Sequence, residues 1–312
     1  MSGKIPLEQT IGGAYRFFFS DLFSILGIVW FPTLVFGGLA GAAIWYGAIL
    51  HALPQPRFEL GRPDIPFILA FSGIAIPVAV CSLLLGVMLI TGFTRRALGL
   101  MEGATWFYFN LGAPFWRMLV TLFVAGLFLL LLNAGLRVIA FLWLRFAAPV
   151  LPTGIAVICD VLGALAFAFV FAYAVVRLLF LLPSVVVAEE RIGIGRAWFL
   201  AGGNFWRAFI ALCAVLLPAL IILGVVSAVL FSGPMRDFPL PPHAGEGHPG
   251  AHEMFAYLNR VIVFLRDFLK SNWPLLVVTQ LVSWIVTRAL FAGASATAYL
   301  SLAAQEEEAQ PG

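Results

Sequence analysis

The sequence predicts an all-α integral membrane protein with six transmembrane helices, arranged as three hairpin repeats that each follow an amphipathic interfacial helix. Hydrophobic residues make up 62% of the 312 residues and charged residues only 11%, a balance outside the range of soluble globular domains. About 20 apolar residues cross a bilayer core, so most of the uncharged tracts are long enough alone. These tracts are residues 22–50, 65–94, 118–136, 161–176, 208–235 and 271–287.

The distribution of lysine and arginine sets the expected orientation of the spans. With a cytoplasmic N-terminus, ten of the 18 basic residues lie on the cytoplasmic side, and four of the other eight belong to one long outer loop. The first 21 residues lack the charged, apolar and cleavage regions of a signal peptide. We therefore expect a retained N-terminus and a multi-pass protein with both termini in the cytoplasm.

A repeat of about ninety residues divides this single membrane domain. The segments that begin at Gly13, Gly103 and Gly195 each read as a small residue, a short aromatic stretch, a polar break and an aromatic entry into an apolar span. The even-numbered spans also end alike, in FTRRAL, VVRLLF and VTRALF. Self-similarity at a fixed period indicates a repeated supersecondary unit. The predicted units are residues 10–98, 99–190 and 191–303.

The clearest copy of the repeated segment is GIGRAWFLAGGNFWRAFI, residues 193–210. Its apolar and polar residues fall on different helical faces, which is typical of a helix that lies at the headgroup level. We expect Gly202 and Gly203 to stop this helix and Asn204 to cap the next one. The tryptophans predicted to anchor such segments at the interface are Trp106, Trp116, Trp198 and Trp206.

The third unit is lengthened by an extracytoplasmic loop, residues 232–260, followed by an amphipathic stretch on the outer surface. His243, His248 and His252 of this loop have spacings that suit a transition metal, but the surrounding Pro- and Gly-rich sequence supplies no scaffold for them. They are weak metal candidates, and we expect no cofactor. Residues 304–312 are predicted to be a disordered tail.

The run RLLFLLPSVVVAEERIGIGRAWFLAGGNFWRAF, residues 177–209, resembles the bacterial six-span family known as the glycerophosphoryl diester phosphodiesterase membrane domain, together with its uncharacterised relatives. Ala197 stands where that family usually has serine. The resemblance implies a membrane-embedded domain of a bacterial inner membrane without assigned catalytic residues. The matching residues are Arg177, Pro183, Glu189, Trp198, Gly202 or Gly203, Phe205, Trp206 and Arg207.

Two groups of charged residues are candidate sites. Asp160 is the only acid well inside an apolar tract, with Asn133 and Arg137 expected at a comparable depth on the preceding helix. An intramembrane acid is costly unless paired, so Asp160 either pairs with Arg137, is wetted from outside, or couples to a proton or ion. The second group is expected either to bind lipid phosphates or to serve topology and carbonyl capping. Its members are Arg16, Arg95, Arg177, Arg207 and Arg288.

Small residues recur in spans one and six, at residues 37–43 and 292–298, and indicate close packing of the first hairpin against the last or a homodimer face. Cys81, Cys159 and Cys213 lack CxxC spacing, so neither a zinc site nor a disulfide framework is indicated. No nucleotide-binding, hydrolase or metalloprotease signature is present.

These patterns favour a non-catalytic inner-membrane protein that interacts with lipid or serves as a scaffold or accessory subunit of a membrane complex. Its expected partners are membrane lipids, with a second copy or another membrane protein as further options, and no nucleic acid. The alternative is a small transporter or channel that uses Asp160 with polar residues of span six. Those residues are Thr279, Gln280 and Ser283.

Overall fold

A computed structural model of the protein describes residues 3–44, 65–103, 105–147, 150, 152–240 and 251–308. These residues form ten α-helices and no strand. In chain order the helices are α1 (Leu7–Ser20), α2 (Leu22–Pro32), α3 (Gly38–Ile44), α4 (Ile65–Ala97), α5 (Ala113–Leu142), α6 (Thr153–Leu179), α7 (Leu182–Ala188), α8 (Ile194–Leu200), α9 (Phe205–Phe231) and α10 (Ala251–Glu308). Two π-helical turns, Thr33–Gly37 and Trp143–Ala147, follow α2 and α5.

The described helices include six that are long and apolar enough to cross a membrane, which confirms the predicted number of candidate spans. They are Leu22–Ala43, Ser72–Ala97, Ala113–Phe146, Gly154–Ala188, Phe205–Phe231 and Lys270–Glu308. Large apolar side chains along them stay exposed, among them Phe123 at 67% and Leu165 at 62%. Such exposure is costly in water and costs nothing against lipid tails.

The chain divides into two compact units. Unit 1 comprises residues 1–29, 87–217 and 288–312, and unit 2 comprises residues 30–86 and 218–287. Within unit 2, aromatic rings join the end of α9 and the following turn to α10: the Phe231 and Phe268 rings are 5.8 Å apart, and those of Phe238 and Phe264 are 5.4 Å apart. The candidate residues of the arginine group all belong to unit 1.

The core of unit 1 is built around the short helix α7, whose residues Leu182 to Val187 are all buried. Ser184 and the fully buried Ser295 of α10 place their hydroxyl oxygens 2.7 Å apart, so a hydrogen bond fixes α7 against the small-residue run of α10. That run packs on α1 as well, because Gly293 has no Cβ: one added there would lie 3.1 Å from the Cα of Ala14. The other small-residue run noted in the sequence, residues 37–43, belongs to unit 2.

Short helices precede two of the three odd-numbered apolar helices, at positions where the sequence predicts them. α1 precedes the first span and buries Thr10, Ala14 and Phe17 at helical spacing, and α8 precedes the fifth span. The predicted helix before the third span is wrong, because residues 105–112 are not helical. There the Asn110 side chain accepts a hydrogen bond from the Gly112 backbone N–H at 2.7 Å and turns the chain into α5 instead.

Two further expectations at the C-terminal end are corrected. The outer amphipathic stretch and span six form one continuous helix, α10, of 58 residues that contains Pro274. The predicted disordered tail starts too early, since α10 continues to Glu308. An ion pair between Arg196 and Glu306 holds that end of the helix against α8.

Candidate functional site

Arg177, near the end of α6, lies against two aromatic rings. Its Cζ atom is 4.4 Å from the centroid of the Trp198 ring and 5.5 Å from that of the Tyr173 ring, within the range of cation–π attraction. Its Nε donates a hydrogen bond to the backbone oxygen of Trp198 at 3.3 Å, and its Nη1 donates to the Tyr173 hydroxyl. The guanidinium group therefore ties α6 to the last turn of α8.

The glycine pair after α8 lets the backbone approach this guanidinium. A Cβ on Gly202 would lie 2.8 Å from the backbone oxygen of Phe199 and 3.2 Å from Nη2 of Arg177. α8 ends at Leu200, and Gly203, in the turn that follows, adopts a φ of 76°, in the left-handed region that favours glycine. The break in the helix thus lies where the sequence predicts it. The turn thus brings the backbone at Gly202 close to the Arg177 guanidinium.

Aromatic rings extend from Arg177 to the surface. The Phe205 ring lies 4.8 Å from Tyr173 and 5.0 Å from Trp206, and Trp206 also contacts Phe169 at 6.0 Å. Trp206, at the start of α9, is 60% exposed, and Phe199, near the end of α8, is 63% exposed. We name Phe169, Tyr173, Arg177, Trp198, Phe205 and Trp206 the Arg177 cluster. It combines a fixed guanidinium with exposed aromatic surface, a combination typical of the membrane–water interface.

The sequence predicts that Asn204 caps α9. Its side chain instead binds the N-terminal segment. Its Oδ1 accepts a hydrogen bond from the Ile5 backbone N–H at 3.1 Å, and its Nδ2 donates to the Gly3 backbone oxygen at 2.8 Å. Arg207 donates to the Ile5 backbone oxygen at 3.0 Å. On the other side, the Gln305 side chain bonds both backbone groups of Lys4, at 2.8 and 3.1 Å. Residues 3–5 are therefore clamped between α9 and α10.

The predicted lipid-phosphate arginines do not share one environment. Arg177 donates to the backbone oxygen of Trp198 in α8, and Arg207 donates to that of Ile5 in the N-terminal segment. Arg95 lies beside Tyr108, whose pKa is raised because burial outweighs the nearby Arg95 charge. Arg16 is exposed on α1, and Arg288 is half-buried in α10.

Arg96, which the sequence did not single out, locks the loop after α4. It pairs with Asp21 at 2.7 Å, donates to the Met101 backbone oxygen at 2.9 Å, and also donates to that of Gly103. Its contacts with Asp21 and with the backbone of the following loop, rather than any sequence motif, identify it.

Of the alternatives expected for Asp160, the pair with Arg137 does not form among the described residues. Asp160 accepts a hydrogen bond from the Trp143 indole N–H at 2.7 Å, and Arg137 donates from Nε to the Asn133 side-chain oxygen at 2.8 Å. Residues 137 and 133 are one helical turn apart on α5, so Arg137 reaches its own helix first. Asp160 is thus held by the π-helical turn that follows α5.

A polar network that the sequence analysis missed joins α8 to the end of α10. Glu189 pairs with Arg191 and with Arg196, the latter at 3.3 Å, and accepts a hydrogen bond from the Tyr299 hydroxyl at 3.4 Å. Burial disfavours the charge of Arg196, but its hydrogen bonds with Glu306 and Glu189 outweigh burial and raise its pKa. The network connects α8 and the residues before it to the end of α10, about 110 residues later in the chain, and no local sequence pattern could indicate such contacts.

The remaining predicted residues are found as follows. Trp106, Trp116 and Trp206 are exposed by more than half of their surface, as interfacial anchors require, whereas Trp198 is half-buried against Arg177. His243, His248 and the side chain of His252 lie outside the described residues. Within the described ranges no group of three or more His, Cys, Asp or Glu side chains could hold a metal ion, and the three cysteines are free and half-buried.

The fold and these surfaces define a class: a helical protein whose six long apolar helices indicate a multi-pass membrane protein. Comparison of the chain with protein-family models, curated proteins and solved structures finds no match. The resemblance of residues 177–209 to the six-span bacterial family therefore stays a prediction.

Proposed function

We propose that this is a non-catalytic protein of a bacterial inner membrane that binds the phosphate of anionic lipids at its cytoplasmic surface, and organises lipid or a membrane complex there. The observation that carries the proposal is the Arg177 cluster, in which the guanidinium lies against the Tyr173 and Trp198 rings, and the Phe205 ring connects Tyr173 to the exposed ring of Trp206. Arginine recognises phosphate through paired N–H groups, and tryptophan favours the headgroup region.

The arrangement leaves donors of Arg177 for a ligand. Its Nε and Nη1 atoms are engaged, but among the described residues Nη2 donates no hydrogen bond. The Tyr173 and Trp198 rings hold the guanidinium plane, which reduces the conformational entropy lost when a phosphate binds. The exposed rings of Trp206, which contacts Phe205 of the same cluster, and of Phe199 provide apolar surface for the upper part of the acyl chains.

The proposal predicts that Arg177→Gln weakens binding of phosphatidylglycerol roughly tenfold, since a charge-assisted hydrogen bond is lost. Native mass spectrometry of the detergent-solubilised protein, titrated with phosphatidylglycerol or phosphatidylcholine, measures this. The matched control is Arg236→Gln, which removes an exposed arginine from the turn after α9 and should leave the titration unchanged.

Two further variants separate lipid binding from folding. Arg177→Lys keeps the charge but loses the planar stack, so it should bind phosphatidylglycerol with intermediate affinity. Trp206→Ala changes an exposed ring and should weaken retention of the lipid without lowering the melting temperature by more than a few degrees. Wild-type titration curves for Arg177→Gln and Trp206→Ala would disprove a lipid site in this cluster.

A further inference from the structure

We propose that a groove between α5 and α6 binds one anionic phospholipid from the leaflet opposite to Arg117, with its phosphate on Arg137. The groove has a volume of about 300 Å³ and lies wholly within unit 1. Small side chains open it and aromatic rings form its wall. The lining residues are Asn133, Leu136, Arg137, Ala140, Phe167, Ala168 and Phe171.

The Arg137 side chain is held in a way that leaves N–H donors for an anion. Its Nε is engaged by the Asn133 side-chain oxygen at 2.8 Å, which fixes the guanidinium along the groove. Among the described residues its two Nη nitrogens donate no hydrogen bond and no carboxylate pairs with it. The Arg137 side chain is exposed, and its two Nη groups match two oxygens of one phosphate.

The position of Arg137 along α5 identifies the leaflet. Arg117 and the exposed Trp116 lie at the start of α5, where Arg117 pairs with Glu190 at 3.4 Å. Arg137 follows Arg117 by 20 residues with no charged residue between them, so the two lie about 30 Å apart along the helix. That is the thickness of a bilayer's hydrocarbon core, which places Arg137 at the opposite headgroup region.

The same geometry identifies the occupant as a lipid rather than a soluble anion. Below Arg137 the groove continues between α5 and α6 over Phe167, Ala168 and Phe171, and this apolar surface suits an acyl chain. Inorganic phosphate would leave it uncovered. The site is independent of the Arg177 cluster, which uses different residues.

Native mass spectrometry with phosphatidylglycerol tests the site through two variants. Arg137→Gln removes the charge, and Ala168→Phe fills the groove without touching a charge; each should weaken one binding event roughly tenfold. The matched control is Arg145→Gln, an exposed arginine in the turn after α5 that does not line the groove. Its titration should equal that of the wild type, and the binding event assigned to Arg177 should persist in all three variants.

Two results would overturn the proposal: wild-type titrations of both Arg137→Gln and Ala168→Phe, or displacement of the lipid by millimolar inorganic phosphate. If Ala168→Phe does not fold, Asn133→Ala replaces it, because loss of the Asn133 oxygen frees the guanidinium to rotate and should also weaken the binding event. Unchanged binding of phosphatidylglycerol in both Asn133→Ala and Arg137→Gln would then disprove a lipid site in this groove.

Discussion

Replacing Gly27 with alanine is expected to destabilise unit 1 by about 3 kcal/mol, or to prevent its folding, because the added methyl group has no room. A Cβ at this position would overlap the Thr105 carbonyl oxygen and lie 2.8 Å from its carbonyl carbon and 3.0 Å from the Cα of Trp106. All three are backbone atoms, so no side-chain rotation relieves the clash. The loop cannot easily retreat, since Arg96 holds its preceding residues through the Met101 and Gly103 carbonyls.

Thermal unfolding in detergent, followed by intrinsic fluorescence and size-exclusion chromatography, measures the Gly27→Ala effect. Gly126→Ala in α5 is the matched control, because a Cβ there meets nothing within 4 Å. That control should be neutral or more stable by up to about 1 kcal/mol, as expected for alanine over glycine in a helix. Equal melting temperatures for Gly27→Ala and the wild type would contradict the close approach of α2 to residues 105–106.

Asn204→Ala is expected to cost about 2–3 kcal/mol and to release the N-terminal segment, because it leaves buried backbone groups without partners. Asn204 is 1% exposed and bonds both the Ile5 N–H and the Gly3 carbonyl. The remaining bonds to residues 3–5 come from Arg207 and from the more exposed Gln305. We expect the segment to open while the helices around it stay folded.

Hydrogen–deuterium exchange of the peptide that contains residues 3–6 detects this release, and thermal unfolding measures its cost. Asn272→Ala is the matched control, since Asn272 donates a single hydrogen bond within its own helix, to the Phe268 carbonyl at 3.1 Å. It should change stability by less than about 0.5 kcal/mol. Unchanged exchange of the N-terminal peptide in Asn204→Ala would show that the clamp is held without Asn204.

The apolar tracts predict the six spans because a membrane span must be long and uncharged, whatever its neighbours are. Local chemistry also predicts the turn at Gly202 and Gly203, since a left-handed residue in a turn favours glycine. What the residues alone could not indicate are contacts between distant segments. The bonds of Asn204 to residues 3 and 5 join positions about 200 apart in the chain.

The failures of the sequence analysis have the same origin. The Asp160–Arg137 pair, one of the alternatives for Asp160, rests on the attraction of opposite charges at one depth, but Asp160 binds the Trp143 indole and Arg137 binds the Asn133 side-chain oxygen. The second interfacial helix was inferred by analogy between copies, and the Asn110 turn overrides that analogy. Composition alone suggested a disordered tail, although Glu306 in it pairs with Arg196.

The most direct test of the proposed function is a cryo-electron microscopy map of the protein in nanodiscs that contain phosphatidylglycerol. We predict headgroup density within hydrogen-bond distance of Arg177 Nη2, beside the Trp206 ring, and its loss in the Arg177→Gln map. Ordered lipid density around the spans that avoids Arg177 in the wild-type protein would contradict the proposal.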